Sequence, residues 1–191
     1  MIDIFFDKLY RYPRVKEPCS IAIPVKEGTL NSLDKLAIIQ EGKTVPMQAK
    51  VTSRHKDGSI RYIFVRFMAD LPANQKTKVV CDFNCDTPLK SDDIDVKDTE
   101  DGYIVNTGKV IFSVKNHSSS ILNSVDDGNK VYTSSHFEGP YLKDGFNHIY
   151  DIQIDQWRIV ETGAVCTILA AQGSNISSDG KNIDFEVRIT A

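Results

Sequence analysis

The sequence predicts an all-β protein: a small N-terminal β-barrel followed by an antiparallel β-sandwich. Three observations point there. Apolar residues come in short runs rich in Val, Ile, Phe and Tyr. The last of these, KNIDFEVRITA, alternates Ile183, Phe185, Val187 and Ile189 with Asp184, Glu186 and Arg188. Such period-two patterning marks a strand with one buried face. The runs are separated by turn chemistry: EGK at 41–43, HKDGS at 55–59, DDGN at 126–129 and SSDGKN at 177–182. Asp-Gly and its polar neighbours tolerate the positive φ that tight hairpins require. Helical periodicity is almost absent; the one candidate helical turn is NSLDKL at 31–36, with Asn31 or Ser32 as its cap.

In order, the predicted strands of the first half are CSIAIPV (19–25), KLAIIQ (35–40), VPMQAKVTS (45–53), SIRYIFVRFMA (59–69) and TKVVCDF (77–83). The third and fourth form a hairpin through RHKDGS. Val45, Met47, Ala49 and Val51 share one face of the third strand. In the fourth, Ile63, Val65 and Phe67 share a face, and Ile60, Tyr62 and Phe64 share the opposite one. A strand apolar on both sides is expected to be covered on both sides, by barrel closure or by a neighbour. LPANQKTKVV then reads as a Pro-containing turn and a return strand. The second half contributes GYIVNTGKVIFSV (102–114), ILNSV (121–125), KVYTS (130–134), IYDIQIDQWRIVE (149–161), AVCTILAAQ (164–172) and IDFEVRIT (183–190). Many short strands at this spacing argue for a barrel or sandwich. Between the halves, NCDTPLKSDDIDVKDTED (84–101) is charged, poor in aromatics and without alternation. It reads as a domain boundary or a long surface loop, and strand signals on both sides favour the boundary. The expected organisation is a barrel at 1–88, a linker at 89–101 and a sandwich at 102–191.

Composition narrows the function classes. The chain has 191 residues, 41% hydrophobic and 26% charged, with a formal charge of −3. That balance gives no sign of nucleic-acid binding, and no apolar run approaches the ~20 residues of a membrane helix. Asp3 and Asp7 sit where a secretory signal would be basic and then apolar. Cys19, Cys81, Cys85 and Cys166 are expected to be reduced and the protein cytoplasmic. Cys81 and Cys85, four apart, lack a second close ligand pair, and His117, His136 and His148 lack zinc spacing, so no metal is expected. No GxSxG elbow and no Gly-rich phosphate loop is present, and no other cofactor is implied.

The most chemically varied stretch is SSHFEGPYLKDGFNHIY (134–150). One reading turns Tyr141, Phe146 and His148, with His136, Trp157 and Arg158, toward a ligand groove. Aromatic faces suit the CH-rich faces of sugar rings, and guanidinium suits carboxylates. The other reading has Phe137, Tyr141 and Phe146 pinning the loop to the sandwich. Trp157 and Arg158 are adjacent in a strand, so they point to opposite faces.

Three stretches together resemble a known family. EPCSIAIPVKEGTL leads into VPMQAKVTSRHKDGSIRYIFVRFMADLPANQKTKVV; GYIVNTGKVIFSVKNHSSSILNSVDDGNK follows, and IVETGAVCTILAAQGSNISSDGKNIDFEVRITA closes the chain. The first is similar to the N-terminal barrel domain of exo-rhamnogalacturonan-lyase-like proteins. Ile23, Pro24, Val25, Gly28, Leu30, Val45, Pro46, Gln48, Val51, Thr52, Arg54, Asp57 to Arg61, Val65, Phe67 and Ala69 to Ala73 carry the likeness. Ala22 stands for the usual glycine and Tyr62 for the common tryptophan. The other two stretches resemble the opening strands of that family's central sandwich. The resemblance implies a noncatalytic N-terminal region of a lyase-like carbohydrate-active protein, its sandwich truncated after Ala191. The parent reaction would be β-elimination on a pectic, uronic-acid-containing glycan. Catalytic residues of the family have no matching motif here. The implied partners are a glycan ligand, the rest of the parent chain, and a second copy through an exposed sheet edge. Alternatives are a stand-alone glycan-binding module and a structural or interaction domain.

Overall fold

A computed structural model describes residues 1–8, 11–89, 94–136 and 140–191. The chain is all-β and forms two compact units, Met1–Asp92 and Asp93–Ala191. Among the described residues no helix is long and apolar enough to cross a membrane.

The first unit contains β1 (Ile2–Phe6), β2 (Arg14–Pro24), β3 (Ala37–Gln40), β4 (Lys43–Thr44), β5 (Met47–Arg54), β6 (Ile60–Leu71) and β7 (Thr77–Asp82). They form two antiparallel sheets, β1-β7-β3-β4 and β2-β6-β5. Both contribute to one core: Ile4, Ile38, Val79 and Cys81 from the first, Ile23, Ile63, Val65 and Phe67 from the second. The chain turns the corner between the sheets at Val45–Pro46. There Val45 N–H donates to Ile38 (2.9 Å) and Pro46 C=O accepts from Met68 (3.0 Å). The buried Gln40 ties the sheets again, its amide donating to Asp70 C=O (2.6 Å) and accepting from Asp70 N–H (2.9 Å). The result is a half-barrel curled around one core.

Alternation along β5 and β6 places Met47, Ala49 and Val51 against the core with Ile63, Val65 and Phe67, as their spacing predicts. Ile60 departs from the expected face. A bulge in the β5–β6 pairing between Tyr62 and Ile60 shifts the phase, so Ile60 is fully buried while Tyr62 stays outward. Residues 31–36 make turns rather than a helix, with Ser32 Oγ accepting from Asp34 N–H (3.4 Å). The HKDGS hairpin is pinned through Asp57, whose carboxylate accepts from Ser59 N–H (2.9 Å) and Ser59 Oγ–H (2.6 Å). Ser59 Oγ in turn accepts from Gly28 N–H (2.9 Å), so GxL and DGS, distant in sequence, form one structural knot.

The second unit contains β8 (Asp95–Thr99), β9 (Gly102–Asn106), β10 (Ile111–Lys115), β11 (Ser124–Asp126), β12 (Val131–Thr133), β13 (Tyr141–Lys143), β14 (Ile149–Glu161), β15 (Ile168–Ser177) and β16 (Asn182–Thr190). Two antiparallel sheets, β12-β11-β10-β9-β8 and β13-β14-β15-β16, pack as a sandwich. Val105, Phe112 and Val114 of one meet Ile152, Ile154, Trp157, Leu169 and Ala171 of the other. Ser118 bridges to Ile154 and joins the two sheets along one side. At Gly173 of β15 a Cβ would lie 2.2 Å from Gln153 C=O, and the Phe185 ring covers the space instead.

Part of the expected linker, 89–101, is strand. Asp95–Thr99 is β8, paired with β9 at the edge of its sheet. Val96 is its partly buried inward residue, packed against the core, while Asp95, Lys97 and Asp98 are exposed. Charges on an edge strand protect it from pairing with other chains, and the same charges make it read as linker. Positions 90–93 of that stretch lie outside the described residues. The run 102–114 is split into two strands because Thr107–Gly108 forms a turn, with Gly108 at φ +80 and Asn106 Oδ1 accepting its N–H (2.8 Å).

Candidate functional site

Three of the six residues singled out from sequence, Tyr141, Phe146 and His148, gather about one element, the β13–β14 hairpin with its tip at Lys143-Asp144-Gly145-Phe146-Asn147-His148. Asp144 organises this tip. Its Oδ1 accepts from Phe146 N–H (2.8 Å) and His148 N–H (2.9 Å), and its Oδ2 accepts from His148 Nδ1 (2.8 Å). Asn147 takes the left-handed conformation (φ +68) that asparagine tolerates and that closes the turn. Desolvation alone would raise Asp144, but the hydrogen bonds from His148 and Phe146 outweigh it and hold its carboxyl below the ordinary range. A carboxylate only accepts, so His148 carries its proton on Nδ1, and in the neutral ring Nε2 is left with a free lone pair.

Phe146 and Tyr141 have their rings in solvent, 83% and 58% exposed. Phe146 leans on the His148 ring at 6.2 Å between centroids. The reading in which these rings pin the loop is therefore not what the structure adopts. Phe137, the third ring of that reading, lies outside the described residues. Strand pairing places Tyr141 opposite Asp151, and Asp151 opposite Ile176. Ile149, Asp151, Gln153 and Ile176 border an open groove of about 530 Å³, whose other bank is His117, Ser118 and Ser119. Across the end of the sheet, Lys181 Nζ is paired with Asp179 (2.8 Å), and Ser177 Oγ donates to the same carboxylate. The hydrogen bond from Lys181 itself to Asp179 and the Asp179 charge, with the nearby Tyr150 and Asp144 charges adding, raise the Lys181 ammonium above its ordinary value.

The remaining expected residues go elsewhere. His136 sits in a 3-10 turn (Ser134–His136), where its Nδ1 accepts from Thr133 N–H (3.2 Å) and its ring meets Tyr132 edge-on. Trp157 does not face a groove. It is 1% exposed and central to the sandwich core. The cause is a bulge: Asp155 is an extra residue in β14, and it resets the alternation so that Trp157 points inward opposite Ala171. Arg158 points to the other face and pairs with Glu186 (2.9 Å). Glu186, held by Arg188 first and by Arg158 second, stays below the ordinary carboxylate range. Each candidate acid, base or cation thus has its own local partner. Among the described residues no group of three His, Cys, Asp or Glu is arranged to hold a metal ion. Cys85 lies beyond the end of β7, so it does not share a strand face with Cys81, and none of the four cysteines forms a disulfide.

Sequence reasoning missed Asp144, His117 and Asp151. The signal for Asp144 was present in DGFNH, where an Asp begins an Asx turn and a His follows four residues later. For Asp151 the signal was alternation with Ile149 and Gln153. His117 carries no local sequence signal; it reaches the groove through the bridge at Ser118 and Ile154. Compared with known proteins, the chain matches no family model and no curated protein.

Proposed function

We propose that this chain is the glycan-contacting, noncatalytic part of a polysaccharide-lyase-like carbohydrate-active protein acting on a pectic, uronic-acid-containing chain. The carrying observation is the pair of solvent-facing rings, Tyr141 and Phe146, on a hairpin rigidified by Asp144 beside the His117–Asp151 groove. Exposed rings held by a rigid turn lose little entropy on stacking against a sugar face. The three stretches resembling exo-rhamnogalacturonan-lyase-like proteins supply the substrate class. Proton abstraction next to a uronate carboxyl needs a base and cations converging on one carbon. His136, His148 and Arg158 are engaged separately, which favours binding over turnover.

The test is calorimetric titration of the chain with pectic oligosaccharides, with absorbance of unsaturated uronate followed in parallel. Binding without new absorbance is expected, weakened roughly tenfold in Y141A/F146A. Emission of Trp157, the one tryptophan, should stay unchanged because its ring is in the core. Turnover, or binding indifferent to both rings, would overturn the reading. A second reading, an interaction domain, has its own observation: among the described residues β16 is the last strand of its sheet and has a strand on one side only.

A further inference from the structure

The groove beside the β13–β14 hairpin has a single carboxylate in its lining, Asp151. It lies directly opposite Tyr141 of β13 on one side and Ile176 of β15 on the other, so the three side chains share a face. Ile149, two residues earlier in β14, is on that face as well. The carboxylate is thus set in an apolar surround that solvent reaches: Tyr141 is 58% exposed, Ile149 52% and Ile176 36%. The Gln153 amide on the same strand, with His117 and Ser119 on the opposite bank, adds hydrogen-bonding groups. Among the described residues no lysine or arginine lines the groove. The neighbouring acids have partners of their own: Asp144 accepts from His148 Nδ1 (2.8 Å), and Asp179 pairs with Lys181 (2.8 Å). Asp151 has no such partner among the described residues. Lys143, the cation of the same hairpin ladder, is opposite Ile149, one row away, and forms no ion pair with Asp151.

We propose that Asp151 is the specificity-determining residue of this groove, and that the groove takes the uncharged units of the glycan, neutral sugars or esterified uronates, in preference to free uronates. A carboxylate only accepts hydrogen bonds. Its two oxygens can accept from neighbouring hydroxyls of one sugar while the CH face of that sugar lies on the Tyr141 ring. Such bonds are charge-assisted, and so shorter and stronger than those between neutral groups. A free uronate in the same place sets a second carboxylate against the first. The ligand displaces the water that would screen the two, and no lining lysine or arginine offsets the repulsion. Selectivity here comes from rejecting the wrong unit as much as from holding the right one. The inference rests on the glycan reading above and adds which units of the chain the hairpin groove accepts.

The experiment uses the whole chain and two probes of equal length, a fully methyl-esterified galacturonate oligosaccharide and its de-esterified counterpart. Wild type should bind the ester roughly tenfold tighter, and the gap should narrow as salt rises from about 0.05 to about 0.3 M. D151N should bring the two affinities within about twofold of each other, with an unchanged circular dichroism spectrum. D155N removes an equal charge further along β14, away from Tyr141, and should leave the gap in place. Equal binding of ester and free acid by wild type, or tighter binding of the free acid, overturns this inference and leaves the proposed function standing. A gap that D151N does not close overturns it too. So does a gap that D155N closes as fully, since net charge alone would then set it. Should D151N misfold, the wild-type salt series decides, and a gap that persists undiminished at high salt overturns the inference. Failure of both probes to bind overturns it together with the proposed function.

Discussion

Burial pushes the Cys81 thiol up to about 11, with the Met1 ammonium opposing and Asp82 adding to the effect. The residue stands on β7 between Ile2 of β1 and Ile38 of β3, fully enclosed. Below the ordinary value of 9 the thiol is protonated in folded and unfolded chains alike, and its contribution is constant. Between 9 and about 11 the unfolded chain releases the proton and the folded chain keeps it. The unfolded state therefore gains, and stability falls as pH rises through that window. After allowance for solvent reaching the group, the loss is on the order of 1–2 kcal/mol. Urea unfolding of wild type and C81A on either side of the window isolates this contribution, because the surface Lys and Tyr titrations are common to both. Wild type should lose more stability than C81A; equal losses would show that enclosure does not govern the thiol. At the same scale, Trp157 shows how one residue's neighbours decide its role. Its partner in sequence, Arg158, is a surface ion-pair residue, and its own indole Nε1 is buried without a partner among the described residues.

The bulge in β14 is the element-scale counterpart. Skipping Asp155 breaks the ladder, and the Trp157 N–H would be left without an acceptor in a dry core. Asn116, just after β10, supplies one: its Oδ1 accepts that N–H at 2.8 Å. His117 N–H, next in the chain, donates to Asp155 C=O (3.2 Å), so one short segment repairs both sides of the break. N116A should therefore destabilise the second unit by about 1–2 kcal/mol, the cost of an orphaned buried donor. N116D, which keeps an acceptor, should recover most of that; thermal unfolding of the three proteins decides it, and an N116A melt equal to wild type would assign the repair to another group. This bulge also marks where the sequence could be read and where it could not. Strict alternation in 183–190 located β16, and long runs rich in β-branched and aromatic residues at 59–69 and 149–161 located β6 and β14. The short strands β1, β8 and β13 escaped: Ile2–Phe6 is mostly apolar, Asp95–Thr99 mostly charged and Tyr141–Lys143 wholly exposed. Their pairing comes from neighbouring strands and leaves no period. Bulges defeat face assignment in the same way, since nothing local in IDQW or SIRY announces the extra residue that turned Trp157 and Ile60 inward. Candidate site residues on the hairpin tip were legible from residue type and turn chemistry; the groove's second bank was not, because it arrives from a segment distant in sequence through the bridge between Ser118 and Ile154.

At the scale of the molecule, the free side of β16 has a definite chemistry. Ala191 exchanges both backbone hydrogen bonds with Thr167 (2.8 and 2.9 Å), and the β15–β16 ladder runs without a register shift. Ile189, Val187 and Phe185 therefore direct their N–H and C=O groups to β15, and Thr190, Arg188, Glu186 and Asp184 direct theirs outward. Two copies can meet there antiparallel about a two-fold axis at Val187. Glu186 of each copy then faces Arg188 of the other, Asp184 faces Thr190, and Phe185 faces Ile189 on the inner side. No like charges oppose one another, and an isologous contact of this kind closes at two chains. Sliding the axis by one residue would set Glu186 against Glu186. Sedimentation equilibrium should show a concentration-dependent dimer. Proline discriminates the edge from the ladder: at Arg188 it removes an outward N–H and should abolish the dimer while leaving the fold, whereas at Ile189 it removes a ladder bond and should destabilise the second unit itself. A wild-type chain that stays monomeric at every concentration, or an R188P chain that dimerises as well as wild type, would show that the Glu186–Arg188 complementarity does not draw two copies together.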